Sequence, residues 1–249
     1  MTMKTFFVLP LLLACASPIQ AGPSQELKVP LRWGVYLADV RSGRVRSLGN
    51  FYEWSLSPDG RFCVGGRDSG RAYEVDVVSI PGGATRVLEK FPLDETGTNA
   101  GTFEWSPDSS RVSVEADRND DGHGETKTFR VSRPGSATTP KARHRELSDK
   151  AMRRLKARFS SVSEVVFSPD GSRVVAYLSR DKPGFADGLW MFAPDGTGLR
   201  RLTRTAPLSR RDLETGNPPQ SRNLQDREPR WLPDGQHLAF RRGNLEEET

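Results

Sequence analysis

The chain has 249 residues, of which 28% are charged and 35% are hydrophobic. The mean hydropathy of -0.60 excludes an integral membrane protein, and the hydrophobic fraction is sufficient for one large β domain or two small domains. The net charge is +5, but the cations are mostly Arg and are scattered along the chain. The composition therefore does not indicate a nucleic-acid surface.

Residues 1–21 are typical of a secretory signal peptide, with a lysine ahead of the apolar run 6–14 and small residues after it. The run is too short to span a bilayer. It ends in Leu-Leu-Ala-Cys at Cys15, which resembles the lipobox of bacterial lipoproteins. Lipidation of Cys15 and ordinary cleavage after Ala16 or Ala21 both stay open. In either case we expect an exported bacterial protein, in the periplasm or anchored to a membrane.

Only one other cysteine is present. Cys63 has no partner once Cys15 is removed or lipidated, so we expect no disulfide framework. Its neighbours, Arg-Phe-Cys-Val, are typical of a strand. A small buried residue is expected there.

After a polar lead-in at 22–32, one β pattern repeats from 33 to 242. A hairpin at 33–48 comes first, without a preceding Ser-Pro-Asp-Gly turn. Three full units follow, each with short apolar runs separated by turns, as in a four-stranded antiparallel meander. A strand pair at 229–242 ends the pattern, and a tail at 243–249 follows. The two ends are therefore complementary half units.

The units come into register when they are aligned on the proline of the turn. Large apolar residues then alternate with a second, mostly small set, which consists of Cys63, Ser113, Val175 and Ala239. A period of two places the two sets on opposite faces of a sheet. A sheet that is apolar on both faces must be covered on both.

The turns themselves share one chemistry. Their Pro and Asp residues are Pro58, Asp59, Pro107, Asp108, Pro169, Asp170, Pro233 and Asp234. Proline presets the backbone for a turn and aspartate caps it. Their common position predicts a structural role rather than a carboxylate cluster.

The Ser-Pro-Asp-Gly turns, with Arg-Leu-Thr closing the third unit at 201–203, resemble the TolB-type β-propeller repeats, relatives of the WD repeats. The resemblance covers about 33–242 and implies an all-β fold, a propeller of four-stranded antiparallel blades. Three units and two halves give four blades, the last closed by the N-terminal hairpin. TolB has six, and two spacings between turns exceed the usual range of about 40 to 50 residues. Five or six blades, degenerate or truncated, are therefore the alternative.

Two insertions, 143–159 and 204–228, interrupt the repeats. In the first, four apolar residues recur at four-residue spacing: Leu147, Ala151, Leu155 and Phe159. This spacing predicts an amphipathic helix, with Ser148 as an internal break. Its polar side, rich in Arg and Lys, is either the solvated face of a helix packed on one rim or a contact for an anionic lipid or protein. The second insertion predicts a surface loop.

The sharpest local motif lies at 117–125. Four oxygen-bearing residues occupy the first, third, fifth and ninth positions around Gly122: Asp117, Asn119, Asp121 and Glu125. This pattern matches a calcium loop and resembles that of integrin-type propeller repeats. Thr128 stands where an EF-hand has Glu, and no helices flank the loop, so an EF-hand is not expected. A solvated acidic turn without metal is the alternative.

Little in the sequence supports catalysis. It contains no Gly-x-Ser-x-Gly elbow, no Walker loop, no His-Glu-x-x-His and no cysteine pair for zinc. We therefore expect no enzyme, and no cofactor other than calcium.

The resemblance to TolB implies a non-catalytic scaffold of the cell envelope, a monomer that binds an envelope protein or peptide. The alternative is a propeller enzyme or a carbohydrate-binding module, related to lyases or peptidases. Clustered His, Arg and Tyr in the central funnel would favour that alternative. Export argues against a nucleic-acid partner. Membrane contact is expected only through a lipid anchor or the basic helix at 143–159.

Overall fold

A computed structural model describes residues 27, 29, 33–80, 82–92, 99–117, 125–132, 145–180, 187–204 and 224–244. The predicted signal peptide with Cys15, the candidate calcium residues Asn119 and Asp121, and most of the second insertion lie outside the described residues. Within the described ranges, no helix has the length and apolar character needed to cross a membrane.

In the described ranges, fifteen strands form four antiparallel sheets, and one helix packs on the last face of the stack. The N-terminal hairpin consists of β1 (Gly34–Asp39) and β2 (Val45–Gly49). Sheet A contains β3 (Trp54–Leu56), β4 (Phe62–Asp68), β5 (Ala72–Ser79) and β6 (Thr85–Pro92). Sheet B contains β7 (Asn99–Trp105), β8 (Arg111–Asp117) and β9 (Glu125–Arg130).

The helix α1 (Asp149–Lys156) precedes sheet C. Sheet C contains β10 (Ser161–Phe167), β11 (Val174–Ser179), β12 (Gly188–Phe192) and β13 (Arg200–Arg201). The last pair is β14 (Leu224–Trp231) and β15 (His237–Asn244). The expected all-β class with four-stranded antiparallel sheets is confirmed. β14 begins inside the insertion expected at 204–228, and β15 extends into the expected tail.

The two ends of the repeat region share one sheet. β1 pairs with β15 in antiparallel register, with Gly34 opposite Arg242 and Tyr36 opposite Phe240. The resulting sheet D has the strand order β14-β15-β1-β2. The first hairpin and the last strand pair therefore each supply two adjacent strands of this four-stranded sheet.

The sheets pack face to face in the order B, A, D, C. Val75 of sheet A and Val114 of sheet B share one core cluster. Cys63 of sheet A shares a second cluster with sheet D, and Phe240 of sheet D shares a third with Val175 of sheet C. Both faces of sheets A and D are therefore buried between neighbours.

The helix α1 covers the remaining face of sheet C. Leu155 and Phe159 form a buried cluster with residues of β11 and β12, including Leu178 and Phe192. The expected amphipathic pattern is present, but the helix is shorter than 143–159. Ser148 is not an internal break, because its Oγ accepts a hydrogen bond from the N–H of Ala151 at 3.2 Å and caps the helix.

The outer face of sheet B is polar. Ser113 and Thr128 face each other there, with 2.9 Å between their hydroxyl oxygens, and Thr102 donates to Glu115 at 3.2 Å. In the small set of the repeats, Cys63 and Ala239 are fully buried, whereas Ser113 is only half-buried. A polar outer face lets this sheet stand at the end of the stack in contact with water.

A buried ion pair fixes sheet D and the segment that precedes it. The guanidinium of Arg242 donates to both carboxylate oxygens of Asp226, at 2.6 and 2.7 Å, and the two side chains are 1% and 0% exposed. A third donor, Nη1, bonds the carbonyl of Val29 at 3.0 Å. The N–H of Leu27 donates to the carbonyl of Leu202 at 2.7 Å. Leu27 and Val29 are thus held against sheets C and D.

We predict that Arg242→Met lowers the free energy of unfolding by about 3–5 kcal/mol, because it leaves the carboxylate of Asp226 buried without its cation. Urea denaturation followed by fluorescence measures the change. The double variant Asp226→Leu with Arg242→Met should recover most of the loss, since it buries no charge. An unchanged midpoint in the single variant would contradict the role given to this pair.

Candidate functional site

The turn aspartates act within their own turns. Asp108 accepts hydrogen bonds from the hydroxyl of Ser106 at 2.7 Å and from the N–H of Ser110 at 3.1 Å. Asp59 has the equivalent contacts with Ser57 at 2.7 Å and with the N–H of Arg61 at 3.0 Å. These bonds satisfy backbone donors of the turn.

The last turn differs from the others, because Leu232 replaces the serine. Asp234 accepts from the N–H of Gln236 at 2.8 Å, and its second oxygen lies 2.6 Å from Nδ1 of His237. His237 is the histidine that lies in the described part of the chain, and its ring contacts this turn. The ring therefore forms part of the connection between β14 and β15.

Hydrogen bonding lowers the pKa of two turn carboxyls. The hydroxyl of Ser106, followed by the N–H of Ser110, lowers the pKa of Asp108 to about 2. The hydroxyl of Ser168, followed by the N–H of Ser172, lowers the pKa of Asp170 to about 2. Donors that bond the ionised form favour it over the protonated acid.

The candidate calcium residues are only partly described. Asp117 ends β8 and Glu125 begins β9, whereas Asn119 and Asp121 lie outside the described residues. Elsewhere in the described ranges, no group of three or more His, Cys, Asp or Glu side chains is arranged to hold a metal ion. Calcium binding at 117–125 stays a prediction, which a calorimetric titration of the purified chain would measure.

Cys63 is fully buried in the cluster between sheets A and D. Burial raises the pKa of its thiol. A buried thiol of this kind is an inert packing residue rather than a nucleophile.

Polar, charged and aromatic side chains lie along the first strands of sheets C, D and A and contact one another between the sheets. We call this set the first-strand row. It includes two residues from neighbouring second strands, and its members are Tyr52, Glu53, Trp54, Glu164, Tyr177, Gln225, Arg227, Glu228 and Arg241. Its three glutamates, Glu53, Glu164 and Glu228, each stand five residues before a turn proline. Thr102 takes that position in sheet B. Alignment of the repeats at this position would have revealed the row, but the alternation of apolar residues does not.

Glu164 joins sheet C to sheet D. Its two carboxylate oxygens accept from Nη1 of Arg227 at 3.0 Å and from the N–H of Glu228 at 2.7 Å. Glu164 and Glu228 have left-handed backbone angles, with φ of 53° and 54°, at interruptions of strand pairing in β10 and β14. Such bulges redirect side chains at the edge of a sheet.

Aromatic contacts accompany the ion pair between sheets C and D. The guanidinium carbon of Arg227 lies 4.1 Å from the centre of the Tyr177 ring. The hydroxyl of Tyr177 donates to Oε1 of Gln225 at 3.0 Å, and Nε of Arg227 bonds the same oxygen at 3.0 Å. The cation and the ring are therefore fixed relative to each other.

Glu228 joins sheet D to sheet A. It accepts from the indole N–H of Trp54 at 2.9 Å and pairs with Nη2 of Arg241 at 2.8 Å. In sheet A, Glu53 accepts from the hydroxyl of Tyr73 at 2.7 Å, and burial raises the pKa of Glu53. Each carboxylate in the row is thus engaged by donors of fixed position.

Part of the row is open to solvent. The side chains of Arg227 and Glu228 are 28% and 37% exposed. Tyr52 is 45% exposed, and its ring centre lies 4.8 Å from that of Trp33. Its carbonyl accepts from Nη1 of Arg241 at 3.1 Å. A ligand can therefore reach both charged and aromatic groups here.

Comparison with known proteins assigns no family. No family model matches the chain, and no curated protein matches it. Similar solved structures include a putative TolB from Agrobacterium tumefaciens, at 17% identity and a TM-score of 0.27, covering 80% of this chain and 61% of that chain. TolB from Acinetobacter baumannii is similar at 14% identity and a TM-score of 0.29, covering 84% of this chain and 49% of that chain.

Peptidases are among the similar structures as well. Prolyl endopeptidases match at 14% identity and a TM-score of 0.29, covering 78% of this chain and 27% of that chain. The chain thus spans less than two thirds of each of these proteins. Similarities at these identities and TM-scores assign no activity.

The hydrogen bonds to Asp170 predict that the free energy of unfolding depends on pH. Its pKa is about 2 in the folded chain and near 4 in an unfolded chain, so its contribution is complete above about pH 4 and is lost as the pH falls towards 2. Asp170→Asn should lower the free energy of unfolding at neutral pH, because it removes the ionised acceptor of these hydrogen bonds. The loss should be only about 1 kcal/mol, because solvent screens the charge in this exposed turn. It should also flatten the pH dependence between about 2 and 4. Urea denaturation across pH measures both, and Glu104→Gln on the exposed face of sheet B is the matched control, expected to leave both unchanged.

The link between sheets D and A predicts the effect of Glu228→Ala. This change leaves the indole N–H of Trp54 without its acceptor and should lower the free energy of unfolding by about 1–3 kcal/mol. It should also shift the tryptophan emission. Thr102→Ala, at the same repeat position in sheet B, should cost less than about 0.5 kcal/mol. Equal losses in the two variants would show that Glu228 does not link the sheets.

Proposed function

We propose that the chain is an exported, TolB-like β-propeller protein that binds a protein or peptide of the cell envelope without catalysing a reaction. The observation that carries this proposal is the first-strand row, in which Glu164 and Glu228 hold Arg227, Trp54 and Arg241 in place. Arg, Tyr and Trp dominate the binding energy of protein interfaces. Side chains that are already ordered lose less conformational freedom when a partner binds.

In this proposal each of the four sheets is one blade. Three blades are sheets A, B and C, and sheet D, made from both ends of the repeat region, is the fourth blade. The outer face of sheet C contacts α1 and that of sheet B is polar. These two faces support an open arc of four blades, with the helix at one end, rather than a closed ring.

Export and calcium binding are part of the same proposal. The leader at 1–21 supports export, with Cys15 either lipidated or removed. Calcium at 117–125 would order the loop between β8 and β9, beside sheet B. Both are independent of the first-strand row, so binding of the envelope partner is expected with and without calcium.

A propeller enzyme or a carbohydrate-binding module is the second candidate. It is supported by the clustering of Arg227 and Tyr177 beside the first strands, since arginine and tyrosine also occur together in such sites. The row as described contains no histidine and no cysteine. Binding of a partner accounts for the row without a further reacting group.

Tyr52 provides the sharpest test. Tyr52 and Val87 are the large hydrophobic side chains that the described residues expose, at 45% and 40%. We expect Tyr52→Ser to weaken capture of the partner from envelope fractions at least tenfold, because aromatic anchors contribute about 2 kcal/mol or more. Val87→Ser, on β6 away from the row, is the matched control and should capture the partner as the unchanged chain does.

Capture is measured with the full chain, with and without calcium, and thermal melting confirms that both variants are folded. Equal capture by the two variants would remove the row from the proposal. Turnover of glycans or peptides, without specific recovery of a protein, would favour the enzyme alternative instead.

A further inference from the structure

The outward side of α1 is a basic face. Lys150, Arg153 and Lys156 follow one another at three-residue spacing, and all are exposed. Residues at this spacing on a helix share one side. Ala151 and Leu155, which are fully buried, lie on the opposite side. The cations therefore point away from sheet C.

Flanking residues extend the basic character of this segment. Arg145 and Arg158 are also exposed, whereas Glu146 and Asp149 are the acidic residues of the same segment. Arg154 is engaged elsewhere, because its Nη1 bonds the carbonyl of Asp195 at 3.0 Å. Among the described residues, no ion pair joins Lys150, Arg153 or Lys156 to an acid. Asp149 lies on the same side of the helix, four residues before Arg153, so the outward side carries three cations and one acid and keeps a net positive charge.

The apolar side of the helix is already used. Leu155 and Phe159 cover sheet C, so α1 cannot insert these residues into a bilayer or present them to a protein. The outward side exposes no large apolar side chain. Stable protein interfaces have a buried apolar or aromatic core, which this surface does not offer. Flexible Lys and Arg side chains can instead contact the many mobile anionic headgroups of a lipid surface.

We propose that the basic face of α1, formed by Lys150, Arg153 and Lys156, binds the anionic headgroups of a phospholipid membrane. The contact holds the sheet C end of the stack against the bilayer without insertion of the helix. Its strength comes from attraction between several cations and a negative surface, and it weakens as salt is added. It does not depend on partner binding at the first-strand row.

The test is sedimentation of the full chain with two kinds of vesicle, phosphatidylcholine alone and phosphatidylcholine mixed with phosphatidylglycerol. Neutral vesicles measure any binding by the apolar leader, so the basic face is reported by the excess binding to anionic vesicles. The variant Lys150→Gln, Arg153→Gln, Lys156→Gln should lose that excess by on the order of a hundredfold, because each cation near an anionic surface strengthens binding several-fold. Thermal melting checks that it is folded.

A matched control removes the same charge elsewhere. Arg41, Arg44 and Arg71 are exposed in turns of sheets D and A. Their replacement by Gln should leave the excess binding within about twofold of the unchanged chain, since these residues belong to sheets D and A and not to the basic face of α1. Tyr52→Ser should also bind vesicles normally, so failure of this proposal and failure of partner binding are distinguishable.

Three results would overturn the proposal. One is an equal loss of binding in the two triple variants, which would indicate attraction by net charge alone. Another is equal binding of the unchanged chain to anionic and neutral vesicles. That result would favour an acidic protein, rather than a membrane, as the partner of the basic face. A loss of excess binding when salt is raised to 0.5 M is expected for the electrostatic contact, and salt-independent binding would also contradict it.

Discussion

Burial of both faces of each inner sheet is the constraint on which the structure depends. In sheets A and D, one set of alternating residues packs against one neighbour and the second set against the other. Such a sheet is not stable alone, because either face would leave apolar surface in water. Stacking solves this for the inner sheets and leaves two end faces. The helix α1 covers one of them, and a polar surface around Ser113 and Thr128 finishes the other.

The two binding surfaces follow from the same stacking. Because neighbouring sheets pack face to face, their first strands lie side by side, and a glutamate on one strand reaches groups of the next. Glu164 contacts Arg227 in sheet D, and Glu228 contacts Trp54 in sheet A. The row therefore exists only while sheets C, D and A are in register. The basic face of α1 has a different origin, because a helix that covers the end of the stack must turn its polar side outward.

The strands, the turns and the sharing of core faces were predictable because a period of two and the Ser-Pro-Asp-Gly turns are local signals. Ser113, the one polar residue in the small set, lies on the uncovered face of sheet B, but we did not predict an uncovered face from it. The start of α1 at Ser148 was not predicted, since serine breaks a helix in its interior but caps one at its start. The pair of Arg242 and Asp226 and most of the first-strand row join residues far apart in the chain, which periodicity cannot pair.

The composition of sheet D determines the order in which the protein can fold. β1 is the first and its partner β15 the last of the described strands, so the strands of the other three sheets are synthesised between them, and pairing of such distant segments is slow. Until β15 arrives, Val35 and Leu37 have no neighbouring strand on that side, and the facing surfaces of sheets A and C lack their cover. Sheet D therefore closes after the other three sheets have their strands, and the surfaces that it covers are the last part of the core to form.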